Sequence, residues 1–140
     1  MTIYEQIYKK LQEIGVTDKL LNREGEAAAK SKVDSFMDLN FDLLLSEFDT
    51  DTKEILHHDM ALSHYYKMNG DMVADPDMVI RIYPARKMAE AMTYQDFFGY
   101  KVVYNPNGSY SPQQKKSQNA FLLQWLNNLI IQEHSFEEGF

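Results

Sequence analysis

From Met37 to Leu45 the apolar residues fall on every second position. Met37, Leu39, Phe41, Leu43 and Leu45 alternate with Asp38, Asn40, Asp42 and Leu44. A helix would scatter such a set around its circumference, whereas a strand places it on one face. The run therefore predicts a strand with one buried and one wet side, and so a sheet covered on a single face.

Helical signals flank this region on both sides. Thr2-x-x-Glu5 has the form of a capping box, and Ile3, Ile7, Leu11 and Ile14 follow at helical spacing, with Tyr4 and Tyr8 beside them. Gly15 is a natural stop, so a helix is expected from about Thr2 to Ile14. Thr17 to Asn22 is read as a short further turn, and Arg23 to Ser31 as a connection. After the first strand, Ser46 to Thr52 reads as a turn. Glu54 to Tyr66 reads as a strand bent or bulged near Asp59. Asn69-Gly70 is a hairpin signal, and Asp75-Pro76 marks a break before a strand over Met78 to Tyr83 that Pro84 ends. Met88 to Tyr94 and Phe98 to Tyr104 are two more strands, closed by Asn105-Pro106-Asn107-Gly108. Ser111 as N-cap, Pro112 at the first position and Gln114 as the second arm of a box start a helix that runs to about Gln132. Its apolar stripe is Leu122, Trp125, Leu126, Leu129 and Ile130. The expected fold is α+β, one domain over 1–140: an antiparallel sheet of about five strands, with an N-terminal helix and a long C-terminal helix packed on one face.

Composition narrows the chemistry. With 44% hydrophobic and 13% aromatic residues, the 140-residue chain can build one packed core. The absence of cysteine excludes disulfides, a thiolate nucleophile and Cys-ligated metals. The start, Met1-Thr2-Ile3-Tyr4-Glu5, lacks the features of a signal peptide. The longest apolar stretch, Ala120 to Ile131, is interrupted by Gln124, Asn127 and Asn128, too short and too polar to span a bilayer. A cytoplasmic location without membrane contact is the expectation.

The net charge of −7 disfavours direct binding to nucleic acid. It is also unevenly placed. Asp34 to Asp77 holds eleven acids against Lys53 and Lys67, a balance of −9, so the remainder carries +2. Asp38 and Asp42 fall on the wet side of the first strand, and Glu47, Asp49 and Asp51 follow in the turn. These five acids are the candidate contact for a protein partner with a basic surface. A solvated face that keeps the protein soluble explains the same residues. The basic residues, including Arg81, Arg86, Lys87, Lys115 and Lys116, are scattered and read as ordinary surface charge.

The densest polar cluster holds His57, His58 and Asp59, then His64 and Tyr65, then Asn69, Asp71, Asp75 and Asp77. Histidine with carboxylates can ligate a metal or move protons. His57 and His58 are neighbours and point to opposite faces of a strand, and His58 shares a face with His64 if no bulge intervenes. No HExxH or EF-hand pattern is present, so no metal and no cofactor are assigned, and turn chemistry accounts for the same residue types. Phe97, Phe98 and Tyr100 are read as core and cross-strand packing rather than a stacking platform, because few basic residues interleave them.

The run Leu62-Ser63-His64-Tyr65-Tyr66-Lys67-Met68-Asn69-Gly70-Asp71-Met72, followed by Asp75-Pro76-Asp77-Met78, resembles a bacterial family with an HY..NGD…DP(D/E)M core. The likeness extends to Phe36-Met37-Asp38-Leu39, to Tyr94-Gln95-Asp96-Phe97-Phe98-Gly99, to the helix around Trp125 and to Gly139-Phe140. It covers most of the chain after about residue 34. That family is carried on plasmids, conjugative elements and phages, often near anti-restriction genes, and has no assigned activity. The resemblance implies a context rather than catalytic residues.

Three readings of function follow. The first is a non-catalytic acidic binding protein of a phage or mobile element that blocks a host defence nuclease, in the manner of anti-CRISPR and anti-restriction proteins. The second is a small metal- or ligand-binding, enzyme-like domain centred on His64, Tyr65, Asn69, Asp71, Asp75 and Asp77. The third is a structural or regulatory homodimer that pairs through the C-terminal helix or an open sheet edge.

Overall fold

The computed structural model describes residues 1–17, 21 and 27–136. The short turn expected between Thr17 and Asn22, residues 23–26 of the connection after it and the terminal Gly139-Phe140 lie outside the described residues, apart from Thr17 and Leu21. The element order is α1 (Ile3–Glu13), β1 (Ala28–Ser31), β2 (Leu39–Phe48), β3 (Ile55–Met68), β4 (Asp71–Tyr83), β5 (Met88–Asp96), β6 (Gly99–Val102) and α2 (Pro112–Ile131). The six strands form one antiparallel meander in chain order. The fold is the expected α+β arrangement with one strand more. Ala28–Ser31, read as connection, pairs with β2 from Ala28↔Asp42 to Ser31↔Leu39. Four small or polar residues carry no alternation that would reveal a strand, and only the β2 edge makes one of them.

Both helices start as the sequence dictates. The Thr2 side chain accepts from the Glu5 N–H at 3.2 Å, and the Glu5 carboxylate accepts from the Thr2 N–H at 2.9 Å, a complete capping box. Gly15, at φ +94°, takes the left-handed turn that ends α1. In α2 the Ser111 hydroxyl accepts from the Gln114 N–H at 3.1 Å. The second arm of the box is absent. The Ser111 N–H is committed to the Val103 carbonyl, and the Gln114 side chain accepts instead from Gln118.

The core lies between the helices and one face of the sheet. Ile7, Leu11 and Ile14 of the α1 segment meet Leu39, Phe41, Met60, Leu62, Met78, Ile80 and Ile82 of the sheet, with Leu122, Trp125, Leu126 and Leu129 of α2. Each such side chain contributes about 1.5–3 kcal/mol when fully buried. The C-terminal segment closes the end of this layer. The Phe136 N–H donates to the Ile14 carbonyl at 2.7 Å, and its ring packs on Phe41 at 6.2 Å.

Four irregularities interrupt the strand registers. At the end of the β2–β3 pair, Glu47 faces His57 and Phe48 faces Ile55, so Leu56 is an extra residue on β3. Leu43 pairs with Met60 and Leu45 with Asp59, so Leu44 is an extra residue on β2. Past this bulge the alternation flips. Leu45, expected in the core with Leu43, joins the opposite face and is half exposed. At Asp59 the irregularity is therefore a bulge on the neighbouring strand, and β3 keeps its own alternation from His57 on. Met37 lies before the strand and is exposed. Asp75-Pro76, expected as a break, sits inside β4 as a cis peptide, where two residues oppose the single His64 of β3. Met92 is a further extra residue, between Ala91 and Thr93 of β5, and its carbonyl accepts from the Val103 N–H at 2.9 Å. Asn69 at φ +52° and Gly70 at φ +86° make the expected two-residue hairpin between Met68 and Asp71.

Candidate functional site

The acidic face divides into two places. Asp38 and Asp42 line an open groove of about 610 Å³ together with Lys30, Asn40, Tyr65 and Met72. The Tyr65 hydroxyl donates to Asp77 at 2.5 Å across the β3–β4 pair. Burial, then the Asp77 carboxylate, pushes the Tyr65 phenol up to about 12. Glu47, Asp49 and Asp51 lie at the far end of the β2–β3 hairpin, about 17 Å along the strand from Asp42 at Glu47. Asp49 shapes that end, since its carboxylate accepts from the N–H groups of Asp51 and Thr52 at 2.9 and 3.0 Å. The Thr52 and Asp51 amides hold the Asp49 carboxyl below its ordinary value.

Apolar side chains stand among these acids. Leu44, Leu45, Phe48 and Leu56 are exposed by 55, 50, 53 and 49%. Clusters of exposed apolar side chains are more informative than scattered ones, because solvation disfavours them without a use. Periodicity placed Leu45 in the core, and the Leu44 bulge turns it outward.

The His/Asp cluster is split by the sheet. His64 faces the helices, where its Nδ1–H donates to the Asp38 carbonyl at 2.8 Å and its ring packs edge-on to Trp125 at 5.5 Å. His58 faces the same way, as β3's unbroken alternation requires, and pairs with the Ser46 hydroxyl at 2.7 Å. Tyr65 lines the groove on the opposite face and bonds Asp77 there, Asn69 forms the hairpin turn, and Asp71 and Asp75 are exposed. The six residues His64, Tyr65, Asn69, Asp71, Asp75 and Asp77 thus do not share one pocket. No group of three or more His, Asp or Glu side chains suited to a metal occurs among the described residues.

A different polar array crosses the open face, and sequence reading did not assemble it. The Asp59 carboxylate accepts a fork from Arg81, Nε at 2.8 Å and Nη2 at 3.0 Å, with His57 Nδ1 3.3 Å away. The Asp59 fork holds the Arg81 guanidinium above its ordinary value against the opposing effect of burial. Tyr83 follows Arg81 on the same face and donates to Glu90 at 2.5 Å. Glu90 also accepts from Tyr104, whose hydroxyl accepts from the Lys115 ammonium at 2.7 Å. Burial, then the bond to Glu90, pushes the Tyr83 phenol up to about 12. Lys115, read as surface charge, stands over the rings of Tyr4, Tyr104 and Tyr110 at 5.5, 5.1 and 5.4 Å. Burial opposes its charge, but the Tyr104 hydroxyl and Glu90 outweigh that and raise its affinity for a proton. The parity of His57 with Asp59 and of Arg81 with Tyr83 was visible in the sequence. The register that aligns them with Glu90 was not.

Phe97, Phe98 and Tyr100, expected to be packed, are exposed at the β5–β6 hairpin, with Phe98 90% exposed. The Asp96 carboxylate accepts from the Phe98 N–H at 2.8 Å and shapes the turn that holds them outward.

The profile of the family described as Domain of unknown function (DUF6908) matches residues 3–135. The chain belongs to this family. The match starts within α1, so the first helix is part of the shared domain. No curated protein and no solved structure matches the chain. No helix among the described residues is long and apolar enough to cross a membrane.

Proposed function

We propose that the protein is a non-catalytic binding module that docks its β2–β3 hairpin on a protein partner whose surface is apolar with a basic rim. The observation that carries this reading is the set Leu44, Leu45, Phe48 and Leu56, about half exposed and interleaved with Glu47, Asp49 and Asp51. Apolar side chains supply affinity at the centre of such an interface, and the acids steer approach and select the partner's charge. Asp38 and Asp42 form a second acidic place toward the other end of β2. The resemblance to a family carried on mobile elements and phages makes a host defence nuclease the partner of first choice. The acidic strand and hairpin would there compete with nucleic acid for a basic groove, as an anti-CRISPR or anti-restriction inhibitor does.

The test uses the intact chain as bait on host lysate, with two variants beside it. Leu45→Ser/Phe48→Ser and Glu47→Lys/Asp51→Lys are both expected to lose the captured partner. Loss in the second should be accompanied by salt-sensitive binding of the parent protein. A partner retained by both variants rules the hairpin out. A homodimer through the C-terminal helix or an open sheet edge is separated by light scattering, because a monomeric mass at high concentration excludes it.

A further inference from the structure

Beside the Pro84–Arg86 turn, a cavity of about 180 Å³ lies between the end of the sheet and both helices. It has the volume of about six water molecules. Tyr4 of α1 and Tyr83 of β4 form aromatic walls, and Met88 adds an apolar side. Three charged groups reach it: Glu90, Lys115 and Arg86. Glu90 and Lys115 lie 3.6 Å apart and neutralise each other. Arg86 has no carboxylate partner among the described residues, and its guanidinium stands 5.8 Å from the Tyr83 ring centroid. One positive charge is left over at this cavity, in a chain whose net charge is −7.

The geometry points to a binding site for a small monocarboxylate with an apolar body, its carboxylate on Arg86 and its body between Tyr4, Tyr83 and Met88. The leftover charge calls for a single anion. A guanidinium presents parallel N–H donors that match the two oxygens of a carboxylate. The tyrosine and methionine walls leave the rest of the ligand little to hydrogen-bond, which favours a hydrocarbon or aromatic body. This site is distinct from the β2–β3 hairpin and stands or falls separately from it.

Benzoate is the probe, with benzamide as its neutral isostere, titrated into the whole protein and followed by calorimetry and by the Ala89 amide resonance. A ligand of this size is expected to reach a Kd of about 1 mM. Benzamide should bind about tenfold more weakly or worse, as should benzoate to Arg86→Gln, because both lose the charge-assisted contact. Arg86 is exposed, so this variant keeps its fold, which a thermal melt verifies. Lys67→Gln, an exposed charge at the β3–β4 turn, should bind benzoate as the parent does. Benzamide equal to benzoate, full binding to Arg86→Gln, or no binding of benzoate at about 10 mM would each overturn the assignment.

Discussion

Asn119 is a polar residue buried on the core side of α2, and its side chain explains how that helix reaches the sheet. Its Oδ1 accepts from the Ala91 N–H at 2.8 Å, and its Nδ2 donates to the Lys115 carbonyl at 2.7 Å. The Ala91 N–H belongs to the part of β5 that β6 does not cover. Asn119→Ala is expected to orphan that donor and cost about 1–3 kcal/mol, read as a lower urea midpoint at unchanged slope. Asp59 and Arg81 present a second test. Asp59→Ala strands a half-buried guanidinium and should destabilise by about 2 kcal/mol, discounted for the solvent that still reaches Arg81. Adding Arg81→Met should recover part of that loss, because the stranded charge is gone; full additivity in the double-mutant cycle would contradict a coupled pair. At this scale sequence reading was partial. Thr2, Glu5 and Ser111 announced their roles because capping is local. Asn119, Lys115 and Glu90 did not, because their partners lie on other elements.

Among elements, the β2–β3 hairpin and the C-terminal segment make opposite predictions. Leu45 and Phe48 are solvated, so Leu45→Ser/Phe48→Ser should change stability by less than about 0.5 kcal/mol per site while abolishing partner capture. A large loss of stability would place these residues in a core instead. The C-terminal segment is held by a histidine. His134 Nδ1 pairs with the Ser31 hydroxyl at 2.9 Å, and its ring faces His64 at 5.9 Å. Burial, then the neighbouring His64, depresses its affinity for a proton, and burial followed by His57 does the same to His58. A histidine depressed in the folded state protonates more readily when unfolded. Its contribution to stability is therefore complete above the ordinary value of 6.5 and is lost as pH falls through the region below it. The urea midpoint should fall from pH 7 to pH 5, and His134→Gln should flatten that fall. The hairpins were legible in Asn69-Gly70 and Pro84. The bulges at Leu44 and Met92 were not, because Leu44 stands among leucines and Met92 between Ala91 and Thr93, and neither setting gives an extra residue a local signature.

Across the whole molecule, α1 and the C-terminal segment close the core together. Ile7, Leu11, Ile14 and Phe136 are at most 1% exposed, and the Phe136 N–H binds the Ile14 carbonyl. Removing residues 1–17 deletes Ile7, Leu11 and Ile14, worth about 6 kcal/mol by burial, against a typical total of about 5–15 kcal/mol. The truncated chain is expected to show no cooperative unfolding transition by circular dichroism; a folded product would show that α1 is an accessory. The same assembly explains the charge. The −9 segment is not one patch, because it supplies a groove at Asp38 and Asp42, a hairpin end at Glu47 to Asp51, and Asp59, which is neutralised by Arg81 on the open face. The sequence by itself determined the two helices, their starts, the antiparallel meander and the face that meets the helices, because capping and periodicity act between residues a few positions apart. Only the tertiary structure decided the sixth strand, the outward turn of Leu45, the separation of His64 from Asp77 and the alignment of Asp59, Arg81 and Glu90. Each of these depends on register, which is set by pairing between strands and by which extra residues those strands must accommodate.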